Sequence, residues 1–391
     1  MGKFIRSIRD LFQRASSSLG IEITDQQIKI VELKKRSGTR PVIAQMCAER
    51  LPSGAVVDGK IQDMPRVILT LQEMVARYGW KRRKVHMVAS GQAVMVRFLK
   101  LPDIPETELK KVIDFEVQHH IHLPFDEPYY DFCKLNGMHN RKQWARRLAK
   151  QEESRGRTKA DDLSIKEAAA SQETADPFAF GESSATQQGQ ALCDVMLIAA
   201  PRDVIDEYVA IAESSGLTAA SVEIKALSLL RLIEMAYSEE ASRPFLLVDV
   251  NEAVTDISIF HDGQLKITRT VSLLFGREND ATNAIETVAG LLSFLPDGIE
   301  DDFYSACNDL AHELERLINF YRYTLKNREH EFQLVMLSGD VPRITEIQMH
   351  LEQRLGMQVT LLDYGADVSA SHLQGETTSY SVPIGLALRE R

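Results

Sequence analysis

Three histidines lie within a few residues of one another, and clustered histidines are candidate metal ligands. His119, His120 and His122 lie close to the end of a predicted helix. Metal ligands on one helix face are usually spaced near four residues apart, so that both rings point the same way. The spacings here do not provide that geometry. The sequence therefore predicts no metal site at these histidines.

Candidate nucleophiles also lack catalytic partners. Serines next to glycine occur in Ser90-Gly91 and in Ser214-Ser215-Gly216, but no His/Asp pair stands in a matching motif. Both segments are predicted to be loops. The four cysteines are widely separated, as expected for unpaired thiols in a reducing cytosol and not for a disulfide framework or a zinc site. They are Cys47, Cys133, Cys193 and Cys307.

Charge and hydropathy argue against two classes of partner. The formal net charge of -10 disfavours bulk binding to nucleic acid. The basic runs at residues 81–84 and 141–147 are predicted to be solvated surface. No apolar run reaches the roughly 18 residues that a membrane-spanning helix needs, and no signal peptide is apparent. A length of 391 residues allows two or three domains with their own cores.

The first 18 residues predict a short cationic amphipathic helix. Its apolar face contains Phe4, Ile8, Leu11 and Phe12, and its cationic side contains Arg6 and Arg9. Such a helix suits an anionic membrane surface. The alternative is a helix packed on this protein or on a partner, and the sequence leaves both open.

The pattern along the chain predicts a mixed α/β fold with a weak internal duplication. A hairpin around Asp25-Gln26 begins one set of strands, and the hairpin turn His261-Asp262-Gly263 joins two strands of another. Three strands, a helix and further strands occur twice, over residues 19–101 and 245–363. This order differs from the strict strand–helix alternation of a doubly wound sheet.

The segment between Leu101 and Phe132 predicts an amphipathic helix followed by an extended arm. Glu106 and Glu108 lie in the first turn of this helix, where the helix dipole favours acidic side chains. Prolines keep the following arm extended. Residues 137–190 are rich in charged residues, Ala, Ser, Gln and Gly, and are predicted to be a poorly ordered insertion.

Several motifs, in this order and spacing, resemble the PilM family, the actin-like cytoplasmic proteins of type IV pilus machines. The likeness covers residues 19–136 and 191–390. Besides the segment from Leu101 to Phe132, the matching motifs are Gly20-Ile-Glu-Ile, Lys29 to Leu33, Val57-Asp58-Gly59, Leu247-Val-Asp249, Leu337-Ser-Gly339 and Gly385-Leu-Ala-Leu388.

The resemblance implies an actin-like (RNase H-like) fold, with duplicated lobes and a small inserted subdomain. The predicted parts are an N-terminal helix (1–18), lobe 1 (19–101, completed by 380–391), the small subdomain (102–136), the polar insertion (137–190) and lobe 2 (191–379).

The resemblance also implies where a nucleotide would lie. Glu22 and Asp249 match the carboxylates of a magnesium–water shell, and Thr255 lies near them. Glu313 and Arg316, one helical turn apart, match positions that contact adenosine. The alternative for this last pair is a surface salt bridge.

Three turns depart from the family pattern at the positions that would hold phosphates. In the family, glycine and other small residues let backbone N–H groups approach the phosphates. This chain has Thr24-Asp25 in the first turn, Asn251-Glu252 in the second and Gly339-Asp340 in the third. One like-charge pair about 4 Å apart costs on the order of 4 kcal/mol at an effective dielectric constant near 20. The departures therefore predict a pseudo-ATPase that keeps the fold, with no cofactor; bound ATP with magnesium is the alternative.

The PilM resemblance further implies a partner. It predicts a scaffold that binds the N-terminal cytoplasmic tail of a PilN-like inner-membrane protein in a groove between the small subdomain and lobe 1. The predicted groove residues are Val112, Ile113, Phe115, Val117 and Pro124. The location is then cytoplasmic, at the inner face of the cell membrane. The alternatives are an ATP-binding actin-like enzyme, an FtsA-like membrane-associated filament protein, and a relative of the secretion protein GspL, which would need a following transmembrane helix.

Overall fold

A computed structural model describes most of the chain as two compact units. The described residues are 16–35, 40–57, 59–89, 93–135, 191–275, 298–325, 327–364 and 377–389. Unit 1 comprises Met1–Val94 with Asp203–Arg391, and unit 2 comprises Met95–Arg202. The predicted insertion at residues 137–190 lies outside the described residues. So do the first 15 residues, with the predicted membrane-facing side chains Phe4, Arg6, Ile8, Arg9, Leu11 and Phe12.

The described elements comprise fifteen strands and seven α-helices. The strands are β1 Ser16–Ile23, β2 Gln27–Lys35, β3 Val42–Arg50, β4 Val56–Val57, β5 Lys60–Ile61, β6 Lys84–Val88, β7 Met95–Pro102, β8 Pro128–Lys134, β9 Leu192–Pro201, β10 Thr218–Glu223, β11 Phe245–Val250, β12 Val254–His261, β13 Gln264–Ser272, β14 Leu334–Gly339 and β15 Gln358–Leu361. The helices are α1 Met64–Tyr78, α2 Glu106–His119, α3 Arg202–Ser214, α4 Lys225–Ala236, α5 Gly298–Asn319, α6 Ile344–Leu355 and α7 Ser381–Ala387.

Two five-stranded sheets in unit 1 share one topology. The first has the order β10-β6-β1-β2-β3 and the second has the order β15-β14-β11-β12-β13. In each, three consecutive strands form an antiparallel meander and two later strands join in parallel. The predicted duplication is therefore present in the topology. We call the first sheet with α1, α3 and α7 lobe 1, and the second sheet with α5 and α6 lobe 2.

Each lobe buries helices on its sheet through side chains at helical and strand spacing. In lobe 1, Leu71 of α1 packs with Ile21 and Ile28. In lobe 2, Leu310 of α5 packs with Val248 and other sheet residues. In both contacts the apolar face of a helix, whose residues recur about every 3.6 positions, packs on the apolar face of a strand, whose residues recur at every second position.

Two glycines let α7 lie very close to its neighbours. A Cβ atom on Gly20 of β1 would lie 2.0 Å from the carbonyl oxygen of Pro383 in α7. A Cβ atom on Gly385 of α7 would lie 2.1 Å from the carbonyl oxygen of Ser228 in α4. Because no larger residue fits at either position, these two glycines position α7 between β1 and α4.

Turns and helix ends follow local rules. Asp63 Oδ1 accepts a hydrogen bond from the Arg66 N–H at 3.2 Å and so caps α1. Gly79, with φ 72°, ends the same helix in the left-handed region. Asp262 and Gly263 both have positive φ and form a two-residue hairpin turn between β12 and β13, whereas the prediction also included His261, which pairs with Gln264.

Unit 2 is a three-stranded antiparallel sheet with one helix on it. The strand order is β7-β9-β8. Leu109 and Ile113 of α2 are fully buried against Leu101, Val195 and Leu197 of the sheet.

The strand pairing differs from the predicted boundaries in three places. Residues 95–101 and 192–201 belong to the sheet of unit 2, because β7 pairs with β9. Residues 218–223 form the edge strand of lobe 1 and not part of lobe 2, because β10 pairs in parallel with β6. Ser16–Ser18 pair with β2 as the start of β1 and not as part of a helix. Local patterns predict a strand but not a partner distant in sequence, which explains the first two differences. The third is a predicted helix boundary that lies three residues too late, since Ser16–Ser18 extend the β1–β2 hairpin.

Candidate functional site

Three turns of unit 1 line one small cavity. The turn after β1, the turn after β11 and the residue after β14 meet there, and Gly59 and Lys225 complete the wall. The structure thus brings together four predicted site residues, which are Thr24, Asp25, Asn251 and Asp340. The cavity volume is about 20 Å³, which is space for about one water molecule.

The acidic side chains of the turns are engaged by donors of the chain itself. Gln26 Nε2 donates to Glu252 across the mouth of the cavity. The Gly59 N–H donates to Asp25 Oδ1 at 2.8 Å. Lys29 Nζ lies 3.2 Å from Asp340 Oδ2. The three carboxylates of these turns therefore line the cavity, and each of them has a hydrogen-bond or ion-pair partner within the chain.

Lys225 is the centre of the charged interior. Its Nζ lies 2.9 Å from Asp249 Oδ2, 3.5 Å from Glu22 Oε1 and 3.5 Å from Asp256 Oδ2. Asn251 Nδ2 also donates to Asp249 Oδ2 at 2.8 Å. One ammonium group thus joins a carboxylate of lobe 1 to two carboxylates of lobe 2.

Lys29 is a second buried lysine that contacts carboxylates of both lobes. Its Nζ lies 3.0 Å from Glu22 Oε2 and donates to the Ser379 carbonyl at 2.8 Å. Glu22 and Lys29 are directly opposite each other in the β1–β2 ladder. Since Lys29 also reaches Asp340, each of the two buried lysines contacts both lobes.

Burial and ion pairing shift the pKa values of this cluster in opposite directions. Burial raises the pKa of Glu22 and of Asp256, and the neighbouring lysines only partly oppose it. Burial would also raise the pKa of Asp249, but Lys225 and the Asn251 hydrogen bond hold it below its usual value. Burial disfavours charged Lys29 and Lys225, yet the carboxylates hold the pKa of both lysines above the usual range.

The remaining predicted nucleotide residues stand apart from the cavity lining. Thr255 is fully buried in β12. Arg316 Nη1 donates to Glu313 Oε1 at 2.5 Å, and Arg269 lies 3.2 Å from the same carboxylate. The Arg316 side chain is 66% exposed. The Glu313–Arg316 pair therefore has the geometry of the surface salt bridge that was the alternative.

Groups of the chain itself lie at the positions that the resemblance implies for a magnesium–nucleotide complex. The ammonium of Lys225 lies between Glu22 and Asp249, the two carboxylates implied for the metal shell. Gly339, although a glycine, provides no open cradle, since a Cβ there would lie 1.9 Å from the Val250 carbonyl oxygen. No group of three acidic, histidine or cysteine side chains in the described part of the chain is placed to hold a metal ion.

The predicted groove residues divide between core and surface. Ile113 is fully buried in the core of unit 2, and Val112 and Val117 pack against that core. Phe115 is 53% exposed, and its ring stacks on His119 at 4.3 Å. Pro124 is also exposed. Ile113 was therefore wrongly included as a groove residue, because it faces the sheet.

Sequence reasoning missed the two lysines and Asp256. The predicted hairpin around Asp25-Gln26 already places Lys29 opposite Glu22, so this pair could have been found from the register. Lys225 has only a weak signal, which is a cation at the start of a largely apolar helix that also contains Arg231 and Glu234. Its partners are distant in sequence and could not be found from it.

The sheet topology and the interior between the lobes define the actin-like ATPase fold. A chain of a solved structure described as "PilM-PilN type IV pilus biogenesis complex" superposes with a TM-score of 0.69 at 20% identity, covering 96% of this chain and 99% of that one. EutJ, the ethanolamine utilization protein from Carboxydothermus hydrogenoformans, superposes with a TM-score of 0.47 at 12% identity, covering 96% of this chain and 90% of that one. MreB5 of Spiroplasma citri bound to ADP superposes with a TM-score of 0.43 at 9% identity, covering 94% of each chain.

The sequence profile of the type IV pilus assembly protein PilM matches residues 20–154 and 178–391. The chain therefore belongs to the PilM family of type IV pilus assembly proteins. Among the described helices, none is long and apolar enough to cross a membrane.

Proposed function

We propose that this protein is a scaffold of a type IV pilus-type assembly, which binds the cytoplasmic tail of a PilN-like membrane protein without needing nucleotide. The observation that supports the partner is the similarity to a chain of the PilM–PilN complex, which extends over 96% of this chain. The proposed location is the cytoplasm, at the inner face of the cell membrane. The machine it serves is a pilus or a related secretion or DNA-uptake assembly.

The proposed contact surface for the tail is the exposed side of α2 in unit 2. Phe115 presents an exposed aromatic ring there, and Val112 and Val117 are half-buried beside it. An apolar peptide that covers such a ring would gain about 1.5–3 kcal/mol for each large side chain buried. This is compatible with micromolar binding after the cost of ordering the peptide.

Titration of the full chain with a synthetic peptide of the neighbouring PilN-like tail tests this surface. We expect Phe115→Asp to weaken binding at least about tenfold, or by about 1.4 kcal/mol. Tyr323→Asp is the matched control, because Tyr323 is an aromatic of similar exposure (57%) in unit 1. Wild-type affinity in a folded Phe115→Asp variant would move the tail site away from α2.

The nucleotide-independent part of the proposal is supported by the small cavity and by Lys225 between Glu22 and Asp249. Calorimetric titration with ATP and magnesium should show no binding tighter than about 1 mM. Hydrolysis should not exceed background. A micromolar dissociation constant would refute this part and favour the ATP-binding alternative.

The N-terminal residues offer a proposed attachment to the membrane. Full-length protein should bind anionic vesicles at low salt, and added salt should weaken binding through screening. Replacing Phe4, Ile8 and Phe12 by Ser should release the protein. If full-length protein does not bind anionic vesicles even at low salt, the segment packs on protein instead.

A further inference from the structure

One end of the lobe 1 sheet carries several exposed cations. Strand β1 runs antiparallel to β2 and parallel to β6, so the end of β2 lies at the same end of the sheet as the starts of β1 and β6. Lys34 stands near the end of β2, and Lys84 is the first residue of β6. Lys81 and Arg82 lie in the turn between α1 and β6. We call these four residues, whose side chains are all exposed, the basic end of lobe 1.

The charge of the basic end is largely uncompensated. None of its four side chains forms an ion pair with any residue that the structure describes. The neighbouring Arg83 is paired, since its Nη2 lies 3.1 Å from Glu32 Oε1. Glu213, an exposed acid in the last turn of α3, offsets one charge at most. A cationic surface therefore persists here in a chain whose formal net charge is -10.

Arg82 occupies a backbone position at which glycine or asparagine is usual. The Arg83 N–H donates to the Trp80 carbonyl at 3.1 Å and closes a turn whose third residue is Arg82, with φ 62°. The Arg82 N–H donates to the Gly216 carbonyl at 2.7 Å, which fixes the backbone of the turn. A side chain in the left-handed region carries strain. The turn itself gives no reason for an arginine here, which points to a role for its exposed guanidinium.

The end of a helix accounts for only part of this charge. Lys81 and Arg82 follow Gly79, which ends α1, and the carbonyl groups at a helix end favour nearby cations. Lys34 and Lys84 belong to strands instead. Stabilisation of α1 therefore does not explain the whole set, and it makes a different prediction, which is that removal of these charges lowers the melting temperature.

The N-terminal segment joins lobe 1 at the same end of the sheet. Strand β1 begins at Ser16, opposite Lys35 of β2, so residues 1–15 are attached beside the basic end. This segment is the one proposed above to bind an anionic membrane. Stable attachment of a peripheral protein usually takes two signals, such as an inserted apolar group and a polybasic patch. The segment and the basic end together supply both.

We propose that the basic end of lobe 1 is a docking surface for the anionic phospholipid headgroups of a membrane, and that it acts together with the N-terminal segment. Headgroup phosphates accept charge-assisted hydrogen bonds from guanidinium and ammonium groups. Each cation held near an anionic surface strengthens binding by about fivefold. The attachment of residues 1–15 at this end favours a membrane over an acidic protein as the partner. This inference rests on the proposed membrane attachment and deepens it.

The test measures binding of the full-length protein to phosphatidylcholine vesicles with and without phosphatidylglycerol. Arg82→Gly should weaken binding to the anionic vesicles about fivefold. Its melting temperature should stay within about 2 °C of the wild type, because glycine adopts positive φ without strain. Added salt should shrink the difference in binding, since it screens exposed charges. Vesicles without phosphatidylglycerol should not distinguish the two proteins.

A second variant leaves the turn backbone unchanged. Lys34→Gln combined with Lys81→Gln and Lys84→Gln should weaken binding to anionic vesicles at least about tenfold. The matched control is Lys60→Gln combined with Arg328→Gln and Arg354→Gln, which removes the same charge from exposed positions elsewhere in unit 1. This control should bind as the wild type does. An equal loss in the control would assign the effect to net charge and overturn the proposal.

The remaining outcomes separate this proposal from the proposed function. Wild-type vesicle binding in both basic-end variants overturns the docking surface alone. Loss of binding that accompanies a large fall in melting temperature in both variants assigns these residues a structural role and also overturns it. If the wild-type protein itself does not bind anionic vesicles, the membrane attachment fails with it. Titration of the same variants with the PilN-like tail peptide should give wild-type affinity, so the scaffold proposal is tested independently.

Discussion

The first hairpins of the two lobes have the same topology but different charges. In lobe 1, Glu22 faces Lys29 across the β1–β2 ladder. In lobe 2, the corresponding positions of the β11–β12 ladder hold Asp249 and Asp256. Lobe 1 thus contains its counter-cation within the hairpin. Lobe 2 depends on Lys225, which belongs to a helix outside the hairpin.

This difference makes the two lobes depend on each other. Lys225 contacts Glu22 of lobe 1 as well as the acids of lobe 2, and Lys29 contacts Asp340 of lobe 2. Breaking a buried ion pair by removing one partner leaves an uncompensated charge. We therefore expect the lysines to stabilise the arrangement of the two lobes without a bound ligand.

The largest expected effect is that of Lys225→Met. It leaves three carboxylates without their shared cation, so it should lower the free energy of unfolding by about 3–5 kcal/mol. Lys29→Met should cost less, because Lys29 contacts two carboxylates. Urea denaturation measures both. Lys110→Met, at an exposed position, should stay within about 0.5 kcal/mol. If Lys225→Met and Lys110→Met lowered the free energy of unfolding equally, the buried position of Lys225 would not contribute to stability.

Close backbone contacts give the next largest effect. Gly20→Ala in lobe 1 and Gly339→Ala in lobe 2 would each place a Cβ within about 2.0 Å of a carbonyl oxygen. Both should lower stability by about 3 kcal/mol in thermal unfolding. Gly54→Ala is the control, since Gly54 has a positive φ but no neighbour within 4 Å. It should cost only about 1–2 kcal/mol. A Gly20→Ala variant as stable as Gly54→Ala would contradict the close approach of α7.

Alkaline pH should remove the contribution that Lys29 and Lys225 make to the free energy of unfolding. Their pKa values are raised in the folded protein, so their stabilisation is complete below the unfolded value of about 10.4 and declines as pH rises above it. The stability difference between wild type and Lys225→Met should be constant from about pH 7 to 10. Above that it should shrink by up to about 1.4 kcal/mol per pH unit. A difference that already shrinks near pH 8 would contradict the raised pKa.

The smallest effect is expected within the lobe 2 hairpin. Asp256→Asn should change stability by less than about 1 kcal/mol, because burial raises the pKa of Asp256 and the change relieves repulsion from Asp249. Asp249→Asn should cost more, because the fold holds the pKa of Asp249 low. Calorimetric unfolding of both variants at neutral pH tests the order. The reverse order would show that Lys225 pairs chiefly with Asp256.

Much of the fold could be predicted because it depends on local signals. The hairpin turns, the capped helix α1 and the repeated meander all follow from residue pattern and turn chemistry. The assignment of β7, β9 and β10 to sheets could not be predicted, since their partners are distant in sequence. For the same reason, the fully buried Ile113 was not distinguished from its exposed neighbour Phe115 on α2.

The candidate site shows the same division. Hairpin length sets the register, so the sequence by itself determined that Glu22 lies opposite Lys29 and Asp249 opposite Asp256, although neither pair was predicted. Only the tertiary structure decided which cation reaches Asp249 and Asp256. The start of α4 is placed by the packing of α7 between β1 and α4, where Gly20 and Gly385 allow backbones to meet. The physical reason is that ion pairing depends on distance in space, and that packing brings Lys225 to the acids of both lobes.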